Sequence, residues 1–328
     1  MTIIESDLSL SELNSAGDLP FEYKFLTSPS DVLGWASEHS RVIQSILNKE
    51  GVVLLRGLNV QGSKKLERML TTLFGDELLE YIYRSTPRTK MRGRIYTSSE
   101  YHADETILLH NENAYSNRWP MRIAFCCIKN AQTGGETPIC DSTAIYQSIP
   151  REIREEFEAK KLRYVRNYSE IDLHWHEVFQ TKSKDDVATY CQANGIEFEW
   201  LDEEHLRTSQ LSNATCTHPI KGNKLWFNQA HLFHISSQPK AVRESLLDVV
   251  GLEGLPRNVY YGDGTQIDDE VIAIIRSAYE QHRIVFPWQE GDVLLLDNMQ
   301  FAHGRQPFTG SRKILTGMSI PFGIEGLN

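Results

Sequence analysis

Nowhere in this 328-residue sequence do about 18 apolar residues follow one another, the length a helix needs to cross a bilayer. No membrane span is expected. Positive charge is also scarce: 34 Lys and Arg stand against 44 Asp and Glu, a net charge of −10. Sequence-independent binding to nucleic acid works by neutralising phosphates, so no nucleic-acid partner is expected. The five cysteines, Cys126, Cys127, Cys140, Cys191 and Cys216, are odd in number and contain no Cys-x-x-Cys pair. That is neither a disulfide framework nor a zinc ribbon, and it predicts reduced core thiols in a cytoplasmic protein. The opening residues, MTIIESDLSLSELNSAGDL, lack the basic start and apolar stretch of a secretory signal. No repeat and no Pro/Gly/Ser linker divides the chain, which predicts a single domain over residues 1–328.

What is present reads as strands with helices between them. Residues 31–48 carry apolar positions at helical spacing, and VVLLR at 52–56 is a short run of β-formers. SKKLERMLTTLFG at 63–75 places Leu66, Met69, Leu70 and Leu73 on one helical face, with Ser63 able to cap it and Gly75 to end it. MRIAFCCI at 121–128 reads as a strand, and 148–162 as a helix with Ser148 at its cap and Pro150 in its first turn. Helices are also expected over 183–195 and 267–283. IVFPW and VLLLD read as two strands around QEGD, and KILTGMSI at 313–320 as a closing strand. The fold class expected is mixed α/β with a mainly β core, a barrel or jelly roll with flanking helices. A basic stretch, RSTPRTKMRGR at Arg84 to Arg94, reads as a solvated loop or as a docking surface for an anionic substrate or acidic carrier.

Among eleven histidines the pair in His110-Asn111-Glu112 stands out. On an extended segment, residues i and i+2 point to the same side, so both head groups can reach one metal ion. On a helix they would diverge by about 200°. A further histidine from a distant strand would complete two His and one carboxylate on one face of the metal, with positions left open for substrate and O2. Rivals share part of this form: His102-Ala103-Asp104, His174-Trp175-His176-Glu177, and the pair His231 and His234. Context separates them. GGETPICD follows downstream, and LLLDNMQFAHGRQPFTGSRKIL sets His303 and Arg312 on neighbouring strands. An arginine near such a metal offers a planar fork for a dicarboxylate's far end.

Taken together, VVLLRGL, LLHNENAYSNRWP, GGETPICDS, LWFNQAHLFH and DNMQFAHGRQPF resemble the taurine dioxygenase/TfdA-like group of 2-oxoglutarate oxygenases, also called the clavaminate synthase-like group. Within it the chain is similar to the syringomycin-pathway type of amino-acid hydroxylase. The resemblance runs from residue 52 to residue 315 and implies a double-stranded β-helix (jelly roll) with a long insertion, a substrate lid around 150–225. It implies Fe(II) on His110, Glu112 and His303, with 2-oxoglutarate held by Thr137 and by Arg312, Arg305 competing for that last role. Glu112 stands where Asp is commoner in the group. A carboxylate of either kind argues against the halogenating relatives, which have a small residue there.

The implied reaction is O2-dependent hydroxylation of an unactivated C–H bond, with 2-oxoglutarate converted to succinate and CO2. The implied substrate is an amino acid or a derivative of one, free or tethered to a carrier protein, in natural-product (antibiotic) biosynthesis. Asn113, Tyr115, Arg118, Trp226 and Asn228 are the candidate substrate contacts, and a homo-oligomer is left open. Desaturation or cyclisation would begin with the same hydrogen abstraction. The rival readings are a non-catalytic jelly-roll binding protein, a zinc hydrolase built on His174/His176 or His231/His234, and a nucleic-acid dioxygenase that the net charge disfavours.

Overall fold

The computed structural model describes residues 8–11, 22–25, 28–81, 83, 86 and 88–323. A seven-stranded sheet forms its base, in the order Leu8–Ser11, Glu22–Phe25, Val52–Arg56, Val293–Asp297, Arg118–Lys129, Lys313–Gly323 and Tyr96–Thr97. Val52–Arg56 and Val293–Asp297 are buried along their whole length, as an unbroken β-branched and leucine run requires when a sheet is covered on both faces. One face carries the helices Val32–Lys49 and Ser63–Phe74, which bury Ile43, Leu47, Leu66 and Leu70 against Val53, Leu55 and Leu295.

On the other face Val52, Leu54, Ile123, Phe125, Leu294 and Met318 pack against Ile139 and Phe301 of a smaller sheet. That sheet runs Ile107–His110, Phe301–Arg305, Ile139–Asp141, antiparallel throughout. Two facing sheets around one apolar layer make the jelly roll expected from the sequence. The stretch between Asp141 and Val293 builds a four-stranded sheet, Ile196–Trp200, Leu206–Ser212, Leu162–Tyr168 and Arg257–Tyr261, with its own apolar cluster around Trp226, Phe157 and Tyr164. Among the described residues no helix is long and apolar enough to cross a membrane.

Local differences from expectation have simple causes. Ser63 is the first helical residue of its helix; Gly62, at φ 84, is the cap and offers no side chain. Residues 142–160 form two helices, Ser142–Ser148 and Arg151–Lys160, because Pro150 can start a helix but cannot donate inside one. IVFPW is no strand: Pro287 lacks an N–H, and only Ile284 bridges to Ile139. The helices at 184–193 and 269–281 form as read, the first with Ser183 accepting from the Asp186 N–H.

Candidate metal centre

His110 ends its strand and His303 sits opposite it in direct register on the neighbouring strand. Glu112 lies two residues beyond, where the chain has left the sheet. Each of the three is buried, and one ligand atom from each falls within 4.8 Å of the others. Among the described residues this is the one place where three such groups converge. Their surroundings fit a cation. The Nδ1–H of His110 donates to the Leu108 carbonyl at 2.7 Å, since a carbonyl can only accept, and this leaves Nε2 as a bare donor atom. The buried Nδ1 of His303 has no hydrogen-bond partner. Burial first, then His303, pushes His110 down to about 4, so it is neutral at physiological pH. Burial also lowers His303 despite the neighbouring Glu112. For Glu112, burial opposes ionisation, but Arg88 and the two imidazoles outweigh it and hold the carboxyl well below the usual carboxylate range.

Two residues that sequence reading did not single out hold Glu112. Asn298 clamps its backbone: Oδ1 accepts from the Glu112 N–H at 2.7 Å, and Nδ2 donates to its carbonyl at 3.0 Å. Arg88 Nη2 donates to Glu112 Oε2 at 2.6 Å. Arg88 belongs to the basic stretch read as a solvated loop or docking surface. It is in fact buried, while Lys90 pairs with Glu80 and Arg94 with Glu77. That leaves these three cations already partnered. Nothing in the sequence signalled Arg88; Asn298 lay inside the DNMQFAHGRQPF block unrecognised.

A small cavity opens beside the histidines, lined among others by Phe125, Thr137, Arg88, Arg305 and Arg312. Thr137 is buried, and its hydroxyl accepts from Trp288 Nε1 at 3.1 Å and from Arg312 Nη2 at 3.4 Å. A hydroxyl has two lone pairs and one proton, so its proton remains to be donated. Arg312 crosses the Gly134-Gly135 turn. Gly135 has φ 75, a Cβ there would meet Arg312 Cδ at 2.9 Å, and its carbonyl accepts from Arg312 Nε at 2.8 Å. Burial first, then Arg305, lowers Arg312 to about 10, and it remains a cation at neutral pH. No carboxylate among the described residues pairs with it. Arg305 differs: its guanidinium donates to the carbonyls of Tyr101, His102 and Glu105 and so ties down the loop that leads into the His110 strand.

The remaining candidates do not gather at this cavity. Trp226 is fully buried against Phe157 in the insertion's core. Asn228 donates to the Ala214 carbonyl and accepts from the Ala230 N–H, a local structural role. Tyr115 is core, its hydroxyl donating to the Tyr83 carbonyl. Arg118 is exposed at the start of its strand. Asn113, at φ 57 directly after Glu112, is half-buried beside Tyr115. Of the rival histidines, His231 donates to the Leu109 carbonyl and packs on Tyr279, His174 and His234 cap short helices, and His102 lies exposed.

A family model, "Taurine catabolism dioxygenase TauD, TfdA family", matches residues 25–319. The dapdiamide synthesis protein DdaC of Enterobacter agglomerans is 43% identical over 296 residues, 90% of this chain and 89% of that protein. A clavaminate synthase-like protein of Arabidopsis thaliana is 28% identical over 288 residues, 84% of this chain and 83% of the other. Among solved structures, PvcB of Pseudomonas aeruginosa superposes with a TM-score of 0.56 at 14% identity, covering 95% of this chain and 91% of that one. That last likeness is one of fold.

Proposed function

The chain belongs to the TauD/TfdA family and is a 2-oxoglutarate-dependent dioxygenase using Fe(II) and O2, and from that premise we propose that it hydroxylates an unactivated C–H bond of an amino acid or amino-acid-derived small molecule in natural-product biosynthesis. The observation that carries the reading is the convergence of His110, Glu112 and His303 beside a cavity that both histidines line together with Thr137 and Arg312. Two imidazoles and one carboxylate are the donor set that suits ferrous iron while leaving positions open. With Fe(II) and 2-oxoglutarate in place, O2 is reduced as 2-oxoglutarate loses CO2 to give succinate, and the second oxygen atom goes to the substrate.

The chain's own residues orient and exclude. His110, fixed by the Leu108 carbonyl, offers Nε2 and keeps its other nitrogen protonated. Arg312 would take the far carboxylate of 2-oxoglutarate through its fork, and the Thr137 hydroxyl, which already accepts from Arg312, would donate a hydrogen bond to it. Arg305, whose Nη1 and Nη2 donate to three carbonyls, holds the loop instead. Ile107 and Phe125 keep the cavity wall apolar.

For the substrate, the reading is supported by the relative that works in dapdiamide synthesis. Asn113, next to Glu112, is the candidate contact that lies nearest the metal centre in the chain. The insertion, which we take to include the lid around 150–225, would cover the site, and a carrier protein would present a tethered substrate. All five cysteines are unpaired, as a reducing cytoplasm would keep them.

The test is succinate formation by anaerobically purified protein given Fe(II), 2-oxoglutarate, O2 and a panel of free and carrier-bound amino acids. Iron-dependent succinate that disappears in His110→Ala and Glu112→Ala is expected. Product mass then separates hydroxylation, a gain of one oxygen, from desaturation or cyclisation, a loss of two hydrogens. Failure to bind Fe(II) and 2-oxoglutarate together would remove the reading.

A further inference from the structure

The metal-site reading above leaves one question: what orients the Glu112 carboxylate. Glutamate is one methylene longer than aspartate, so its head group has an additional torsion to be fixed. The Asn298 clamp acts on the Glu112 backbone and does not reach the carboxylate. His303 Nε2 lies 3.8 Å from Oε2, too far for a hydrogen bond. Arg88 is the group that grips it. Its Nη2 lies 2.6 Å from Oε2, with the two side chains 3% and 2% exposed. The central carbon of the guanidinium lies 4.6 Å from the centroid of the Tyr81 ring, and Arg88 lines the same cavity as both histidines.

We propose that Arg88 is a positioning residue for the metal centre. It grips Oε2 of Glu112, the oxygen that also lies 3.8 Å from His303 Nε2, and so fixes how the carboxylate is turned towards the two histidines. A carboxylate held this way would meet a bound ion in an orientation set before the ion arrives, with one torsion fewer to order on binding. Charge alone would not achieve this. A lysine ammonium is a point charge with rotatable donors, whereas the planar guanidinium fixes direction as well as sign.

The experiment is Mn(II) binding by the purified full chain, read from the electron paramagnetic resonance signal of unbound Mn(II), beside thermal unfolding of the metal-free protein. Wild type, Glu112→Ala, Arg88→Gln and Arg88→Lys are compared. We expect Arg88→Gln to weaken Mn(II) by about 10- to 100-fold, the range seen when a partner of a metal ligand is removed. Arg88→Lys should also weaken it, by more than about threefold, even where its unfolding temperature matches wild type. A guanidinium that merely neutralises a buried carboxylate predicts otherwise: Arg88→Gln would lose stability, and Arg88→Lys would bind Mn(II) within about threefold of wild type. That result overturns the proposal. If Arg88→Gln does not fold, Arg88→Lys decides by the same threshold. Wild type that binds no Mn(II) would instead bring down the metal-site reading, and this inference with it.

Discussion

The two ends of the cavity are built on opposite principles. At the metal end two of the three groups are held in advance: His110 by the Leu108 carbonyl, and Glu112 by Asn298 at its backbone and Arg88 at its carboxylate. At the far end Arg312 is steadied by one good bond to Gly135 and by contacts of 3.4 Å to Ser98 and Thr137, with no carboxylate among the described residues in an ion pair with it. A metal ligand must not move, because its geometry fixes which coordination positions stay open. A cation waiting for a dianion must stay unneutralised until that anion arrives, since a resident carboxylate would compete with it. Preorganisation at one end and unmet charge at the other are both needed for a ternary complex.

The largest effect that would test this contrast is at the rigid end. His110→Ala or Glu112→Ala should weaken Mn(II) or Fe(II) binding by at least about 100-fold in a metal titration. Retained affinity in either would mean that the three groups are not a ligand set. At the other end, Arg312→Gln should raise the KM for 2-oxoglutarate by about 30- to 100-fold, the loss of a charge-assisted bidentate bond of about 2–3 kcal/mol. Metal affinity should stay within about twofold. If both fall together, the two ends are not separable.

Acid should distinguish the ends as well. Burial holds His110 at about 4 and His231 at about 3, below the ordinary 6.5. The unfolded chain therefore binds their protons more tightly than the folded one. Stability is complete above 6.5 and falls as pH drops from there towards 4, by up to about 1.4 kcal/mol per pH unit for each histidine. Urea unfolding of the metal-free protein at stepped pH measures this. Arg312, at about 10, stays charged across that interval and contributes nothing to the slope.

Asn298→Ala should cost about 1–3 kcal/mol by leaving the Glu112 N–H buried and unpaired, and should lower metal affinity about tenfold. A calorimetric titration that shows lost stability with unchanged affinity would reduce Asn298 to a scaffold role. The smallest effect expected is on 2-oxoglutarate in Arg305→Gln. Its KM should change by less than about threefold while stability falls, because three carbonyls lose a donor. A KM shift equal to that of Arg312→Gln would reassign the anion-binding role.

Much of this was legible in the chain. The His-x-Glu spacing, the glycine pair before Thr137 and the later His303 and Arg312 all lie in short local blocks; strand periodicity governs His110 and His303, while Glu112, Thr137 and Arg312 sit just outside the strands. The candidate substrate residues fared differently. Trp226, Asn228 and Tyr115 looked like lining but are core, because burial depends on which elements pack around a segment and not on the segment's own pattern. The basic stretch misled in the other direction: a run of Arg and Lys looks solvated until a buried carboxylate draws one of them inward.

The sequence by itself determined the residue types, the His-x-Glu spacing and the strand that ends at His110, because a strand's period is a local property of the chain. Only the tertiary structure decided that His303 lies in register with His110, that Arg312 bonds the Gly135 carbonyl while Arg305 bonds the carbonyls of the 101–105 loop, and that Arg88 meets Glu112. Those pairings join residues from separate stretches of the chain, and such contacts are set by how the two sheets close around one apolar layer.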